Sequence, residues 1–181
     1  VTDPERATGL ASIMVEPSGQ NRIIVFPGAN AAICSDDVES AMLCRPDALF
    51  MQLEIAADAI IYAARYAAER NIPIFIDAGP ALPDFPFAKL PRLEVFSPNE
   101  TETEAYTGIV PSSPEACLRA ATALSRMVDA HYYVIKLGGR GAYIYDGKYY
   151  FCLPAFDVKA VDTTAAGDAF TSALTLEFLR C

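Results

Sequence analysis

Basic residues, histidine and paired cysteines are all scarce in this sequence, and each shortage removes a class of function. Lys and Arg number 14 against 23 Asp and Glu, for a net charge of −9. Such a surface repels a nucleic-acid backbone and an anionic membrane. It leaves room for a small phosphorylated ligand, because local backbone dipoles can hold a phosphate inside an acidic protein. Histidine occurs once, at His131. Ser112, Ser113 and Cys117 therefore gain no nucleophile–base constellation, and His131 reads as an ordinary surface or packed side chain. The five cysteines (Cys34, Cys44, Cys117, Cys152, Cys181) include no CxxC pair. An odd, scattered set points to thiols in a reducing cytosol rather than a zinc or disulfide framework. No apolar run of about 18 residues occurs, so no transmembrane helix is expected. Asp3, Pro4, Glu5 and Arg6 stand where a secretory leader needs an apolar core, so a cytoplasmic location is the expectation. The chain begins without methionine, as a fragment or processed product would. The phosphate-loop pattern GxxxxGK[ST] and a complete GxGxxG are also missing.

What is present is apolar and regularly alternating. Hydrophobic residues make up 52% of the 181, which suits heavily buried parallel strands, and a chain this long buries roughly 70% of its unfolded surface. Two early strands, LASIMVE and RIIVFP, are joined by the turn PSGQN. A short helix capped by Ser35 or Asp36 then runs to Leu43. Strand ALFMQL (48–53), an Ala-rich helix over 55–71 stopped at Asn71, and strand PIFIDAG (73–79) follow. A Pro-rich loop leads to strand LEVFSPN (93–99) and a short helix (102–108) ended by Gly108. A helix over 113–130 starts with a cap and a proline in its first turn. Then come strand YYVIKL (132–137), the bend GGRG, strands AYIYD and KYYFCL, a last strand over 157–162 and a last helix. Strands alternating with helices predict an α/β fold, three layers deep, with a mostly parallel sheet flanked by helices.

In such a fold the carboxyl ends of the parallel strands share one side, and ligands bind outside them. The residues just past the expected strands are Glu54, Asp77, Asn99 with Glu102, the bend Gly138–Gly141, and Asp162 to Asp168. Carboxylates, an amide and two small-residue loops suit a phosphate with its magnesium ion: hard oxygens for the metal, backbone N–H groups for the anion. In VDTTAAGDAFTSAL (161–174), small residues let the backbone of Ala165, Ala166 and Gly167 approach a ligand at a helix N-terminus. That cradle would stabilise charge on a transferring phosphoryl group, with Asp168 beside it to take a proton from an attacking hydroxyl. Simpler readings stand next to these. Asp162, Thr163 or Thr164 can be an ordinary helix cap with Asp168 a favourable first-turn acid, and Asn99 with Glu102 can be a capping box.

The stretches FPGANAAI, MQLE, SPNETETEAYTG, KLGGRGAY and VDTTAAGDAF, taken together and in this order, resemble the ribokinase-type branch of the PfkB family of carbohydrate kinases. The resemblance implies a Rossmann-like core and ATP-dependent transfer of a γ-phosphoryl group to a sugar hydroxyl, with Mg2+ and, in ribokinase-like members, K+. By the same resemblance Asp168 matches the catalytic base, Ala165, Ala166 and Gly167 the anion hole, and Glu54 a sugar contact. Asn99 and Glu102 match the phosphate and magnesium motif. Lys136, Gly138 and Gly141 match a loop near the nucleotide, although some relatives have threonine at Lys136. Asp162 and Thr164 match part of a monovalent-cation site. The family's polypeptide is longer at both ends, so the chain resembles its middle: residues 1–30 as partial lid strands and their connection, residues 31–181 as an incomplete core. Lid strands imply a homodimer, and the expected partners are a small sugar and ATP, with neither nucleic acid nor membrane. The alternative is a non-catalytic fragment or degenerate kinase acting as an anion-binding or assembly module.

Overall fold

The computed structural model of the chain describes residues 2–15, 21–160 and 162–180. Strands β1 (Leu10–Val15) and β2 (Asn21–Phe26) form a two-stranded antiparallel ribbon with Leu10 opposite Phe26 and Ile13 opposite Ile23. Its apolar side chains are exposed: Leu10, Ile13, Met14, Val15, Ile23, Ile24, Val25 and Phe26. The turn expected at 17–21 lies, apart from Asn21, outside the described residues. A 3-10 turn over Gly28–Ala32 leads to helix α1 (Ser35–Met42), where Cys34 rather than Ser35 or Asp36 holds the cap position and Asp37 accepts its N–H at 3.0 Å.

The main sheet has six strands in the order β3-β4-β5-β6-β7-β8. Strands β3 (Leu49–Met51), β4 (Ile74–Asp77), β5 (Leu93–Ser97) and β6 (Ala130–Lys136) run parallel. Strands β7 (Ala142–Tyr145) and β8 (Tyr150–Leu153) extend the sheet antiparallel. Helices α2 (Ala57–Ala68), α3 (Glu100–Thr107), α4 (Pro114–Met127) and α5 (Ala166–Phe178) complete the element list. Local chemistry sets some of the helix ends. Ser113 caps α4 by accepting from Ala116 N at 3.2 Å, with Pro114 at the first position, where a missing N–H costs nothing. Gly108 ends α3 with φ 70°.

Two cores result. On one face Ile74, Ile76, Leu93, Phe96 and Ile135 pack against Ala63, Ala64, Ala120 and Leu124 of α2 and α4. On the other, Phe75, Val95, Val134 and Ala142 meet Leu174 of α5, and Phe75 makes an edge-on contact with Phe178 at 5.3 Å. Successive strand residues point to opposite faces, so both faces of the sheet need covering, and α5 serves the second. The expected α/β architecture is therefore present, with one correction. Residues 157–160 form no strand; they are exposed coil, and Val161 lies outside the described residues. Val158 and Ala160 alternate with Asp157 and Lys159 as strand residues would, but a strand exists only when a neighbour accepts its ladder, and none of the described residues pairs with this segment. No described helix is long and apolar enough to cross a membrane.

Candidate active site

Helix α5 starts at the carboxyl side of the parallel strands because one buried oxygen fixes it there. Asp77 ends β4, and its Oδ2 accepts from Thr171 Oγ1 of α5 at 2.7 Å and from Lys136 Nζ, at the end of β6, at 2.5 Å. Asp77 is 5% exposed and Thr171 fully buried. A methyl group on Gly167 would stand 3.5 Å from Lys136 Nζ and 3.8 Å from Asp77 Oδ2. The first turn of α5 therefore lies over the ion pair at ordinary van der Waals distance.

Beside that turn lies an open cleft of about 910 Å³ whose walls include Asn99, Lys136, Gly138, Gly141, Ala166 and Gly167. Six residues singled out in the sequence therefore share one concavity. Exposed Phe156 and, from the segment expected to be a strand, Val158 line it as well. Asn99 adjoins Lys136 through an isolated parallel bridge, with Lys136 N donating to Pro98 O at 2.9 Å. Gly141, at φ 92°, is forced: a methyl there would come 1.9 Å from Leu153 O, so only glycine lets the bend 138–141 pass β8.

The cradle is built from Ala165, which precedes α5 in the left-handed region at φ 59°, and from Ala166, whose N–H donates to Thr163 O at 3.2 Å. The first bond of the helix proper runs from Ala169 N to Ala165 O at 2.9 Å, which leaves the Gly167 and Asp168 amides in the first turn, where the helix dipole is positive. Asp168 is exposed, and its Oδ1 accepts from Gln52 Nε2 at 2.5 Å. Gln52 was not anticipated as a site residue, although it stands in the MQLE stretch that drew attention to Glu54. Glu54 itself is exposed in the loop beyond β3. Thr171 was missed as well; its signal is a hydroxyl four residues past Gly167, one turn further along the same helix.

Asn99 and Glu102 do form the capping box, with Asn99 Oδ1 accepting from Glu102 N at 2.9 Å and Glu102 Oε2 from Asn99 N at 2.7 Å. Glu102 Oε1 also accepts from Asn99 Nδ2 at 2.8 Å. Burial pushes the Glu102 carboxyl above the usual glutamate range, against the pull of the Asn99 N–H and Lys136. Asp162 Oδ1 accepts from Thr164 N at 2.8 Å, a bond that holds its carboxyl below the usual aspartate range. Among the described residues no group of three or more His, Cys, Asp or Glu is arranged to hold a metal. A magnesium ion riding on nucleotide phosphates needs only one or two carboxylates and keeps its waters, so the single Glu102 beside Asn99 fits that kind of ion.

The arrangement combines amides and a glycine bend for an anion, a cation beneath them, and a carboxylate on the adjoining turn. The pfkB family carbohydrate kinase model matches residues 1–180. The chain belongs to the pfkB family. Within it, the chain is 34% identical to the ribokinase of Mus musculus over 177 residues, covering 94% of this chain and 54% of that protein. It is 30% identical to the deoxyribokinase of Salmonella typhi over 169 residues, covering 92% and 55%. The solved structure of Arabidopsis thaliana ribokinase complexed with ribose and ATP superposes with a TM-score of 0.81 at 27% identity, over 97% of this chain and 58% of that one. The chain thus spans about half the length of these pfkB relatives.

Proposed function

We propose that the polypeptide carrying this chain phosphorylates a sugar hydroxyl from ATP, and that this chain supplies the phosphoryl-transfer core. The observation that carries the reading is the single cleft lined by Asn99, Lys136, Gly138, Gly141, Ala166 and Gly167, with Asp168 on the next residue of α5. ATP phosphates would run along the bend 138–141 toward the start of α5. The amides of Ala165, Ala166 and Gly167 would hold the charge developing on the γ-phosphoryl group, Ala166 exchanging its long bond to Thr163 for the anion. Asp168 would accept the proton of the attacking hydroxyl, and Glu54, two residues beyond Gln52, would contact the sugar. Both curated relatives are pentose kinases by name, and a pentose is the sugar proposed here. Mg2+ would be held near Glu102 and Asn99 and would neutralise phosphate charge; K+ would sit near Asp162 and Thr164. Residues 1–30 are read as lid strands joining two copies, residues 31–181 as the core, and the location as cytoplasmic.

Substituting Asp168→Asn in the full polypeptide tests the base. Turnover of ATP with ribose or deoxyribose should fall by about 100- to 10,000-fold, while sugar binding measured calorimetrically persists. Unchanged turnover would remove Asp168 from this role. The exposure of Phe156 and Val158 beside the cleft, 92% and 74%, favours a second reading, an anion-binding module without turnover. That reading gains if the parent polypeptide binds ATP and transfers no phosphoryl group to any sugar.

A further inference from the structure

We propose that Asp77 is a positioning residue for phosphoryl transfer, holding the Lys136 ammonium under the first turn of α5 where it faces the cleft. The inference rests on the kinase reading above and adds a residue to it. Lys136 contributes to the cleft wall, yet only 12% of its side chain is exposed. Its Nζ would otherwise swing on a flexible four-carbon stem. Asp77 Oδ2 fixes it, and Thr171 Oγ1 fixes Asp77 in turn by donating to the same oxygen. The result places a cation one atomic layer below Gly167, 3.5 Å from where a methyl group would stand.

Charge supplies the second argument. Around Gly79, Glu102 Oε1 and Asp77 Oδ1 would lie 2.6 and 3.8 Å from an added methyl group, so two carboxylates meet behind the seat of an incoming anion. Within this group Lys136 is the counter-charge, and without it those carboxylates would repel the phosphoryl group. A buried ion pair adds little net stability over an apolar pair of the same size. Its effect here is orientation: a cation already fixed toward developing charge stabilises a transition state more than one that must first reorganise.

The test is a double-mutant cycle in the full polypeptide, with ATP and ribose. Asp77→Asn and Lys136→Met should each lower turnover about tenfold or more, and raise the Michaelis constant for ATP while that for ribose stays within about twofold. A purely structural role would lower the active fraction and leave both constants unchanged. The double variant should match Lys136→Met within about twofold, because Asp77 acts only through the ammonium. Lys136→Arg should recover part of the turnover alone, but not when combined with Asp77→Asn. Losses that multiply in the double variant, or parental kinetics in Asp77→Asn, would overturn the proposal. If Asp77→Asn does not fold, because a buried cation has lost its partner, Lys136→Met against the double variant still decides. A parent protein without turnover sinks the kinase reading and this inference together; an active parent with multiplying losses sinks the inference alone.

Discussion

Gln52 Nε2 donates to Asp168 Oδ1 at 2.5 Å and so joins the end of β3 to the first turn of α5 across 116 positions of sequence. On the proposed reading of Asp168 as the base, the amide would leave Oδ2 as the oxygen available to an acceptor hydroxyl. Gln52→Leu should lower turnover about tenfold, the loss expected when one orienting hydrogen bond of about 1.4 kcal/mol is removed from a transition state. Gln52→Glu should cost more, since a second carboxylate would face the first. Steady-state kinetics on both variants check this, and parental turnover in Gln52→Leu would leave the contact without a role.

Ala165 has φ 59°, a conformation in which its Cβ crowds the following carbonyl. Ala165→Gly should relieve that strain, offset in part by the greater entropy of glycine in the unfolded chain, for a net gain of roughly 0.5 kcal/mol. Urea unfolding should show a higher midpoint. A lower one would mean that the start of α5 does not require the left-handed turn.

Tyr143 is fully buried and stacks on Tyr150 at 5.4 Å, and its hydroxyl has no hydrogen-bond partner among the described residues. Burial raises its pKa far above the usual tyrosine range. Tyr143→Phe removes the unsatisfied hydroxyl and keeps the ring, and should stabilise the fold by about 1 kcal/mol. A fall in melting temperature would show that the hydroxyl has a partner after all.

Glu102 gives a pH dependence of defined sign. Burial raises its carboxyl pKa in the folded state above the unfolded value, so the folded chain holds that proton more tightly. The corresponding stability is fully present below the ordinary glutamate value and is lost as pH rises through the raised one. Unfolding measured in steps from about pH 4 upward should show this decline, and Glu102→Gln, which cannot ionise, should flatten it. Asp162, held below its usual range by Thr164 N–H, acts with the opposite sign, but from an exposed position.

Local chemistry was legible from the chain alone, and long-range pairing was not. The Asn99–Glu102 box, the Ser113 cap and the Gly108 stop are all set by neighbours within four residues, and spacing reveals them. The parallel strands stood out because burial on both faces makes them continuous apolar runs. Residues 157–160 imitate a strand locally and fail for want of a neighbour among the described residues. The Asp77–Lys136 pair spans 59 positions, and only the folded sheet brings such ends together. The positive φ of Ala165 was invisible for a different reason: alanine is the residue most at home in a right-handed helix, so nothing in its identity announces the opposite hand.

The β1–β2 ribbon has one further consequence. Its register puts Leu10, Ser12, Met14, Arg22, Ile24 and Phe26 on one side and Ala11, Ile13, Ile23 and Val25 on the other, so one side carries a hydroxyl and a guanidinium among its apolar groups and the other is the more oily. A partner laid against the Ala11, Ile13, Ile23 and Val25 side would therefore leave the side with Ser12 and Arg22 toward water.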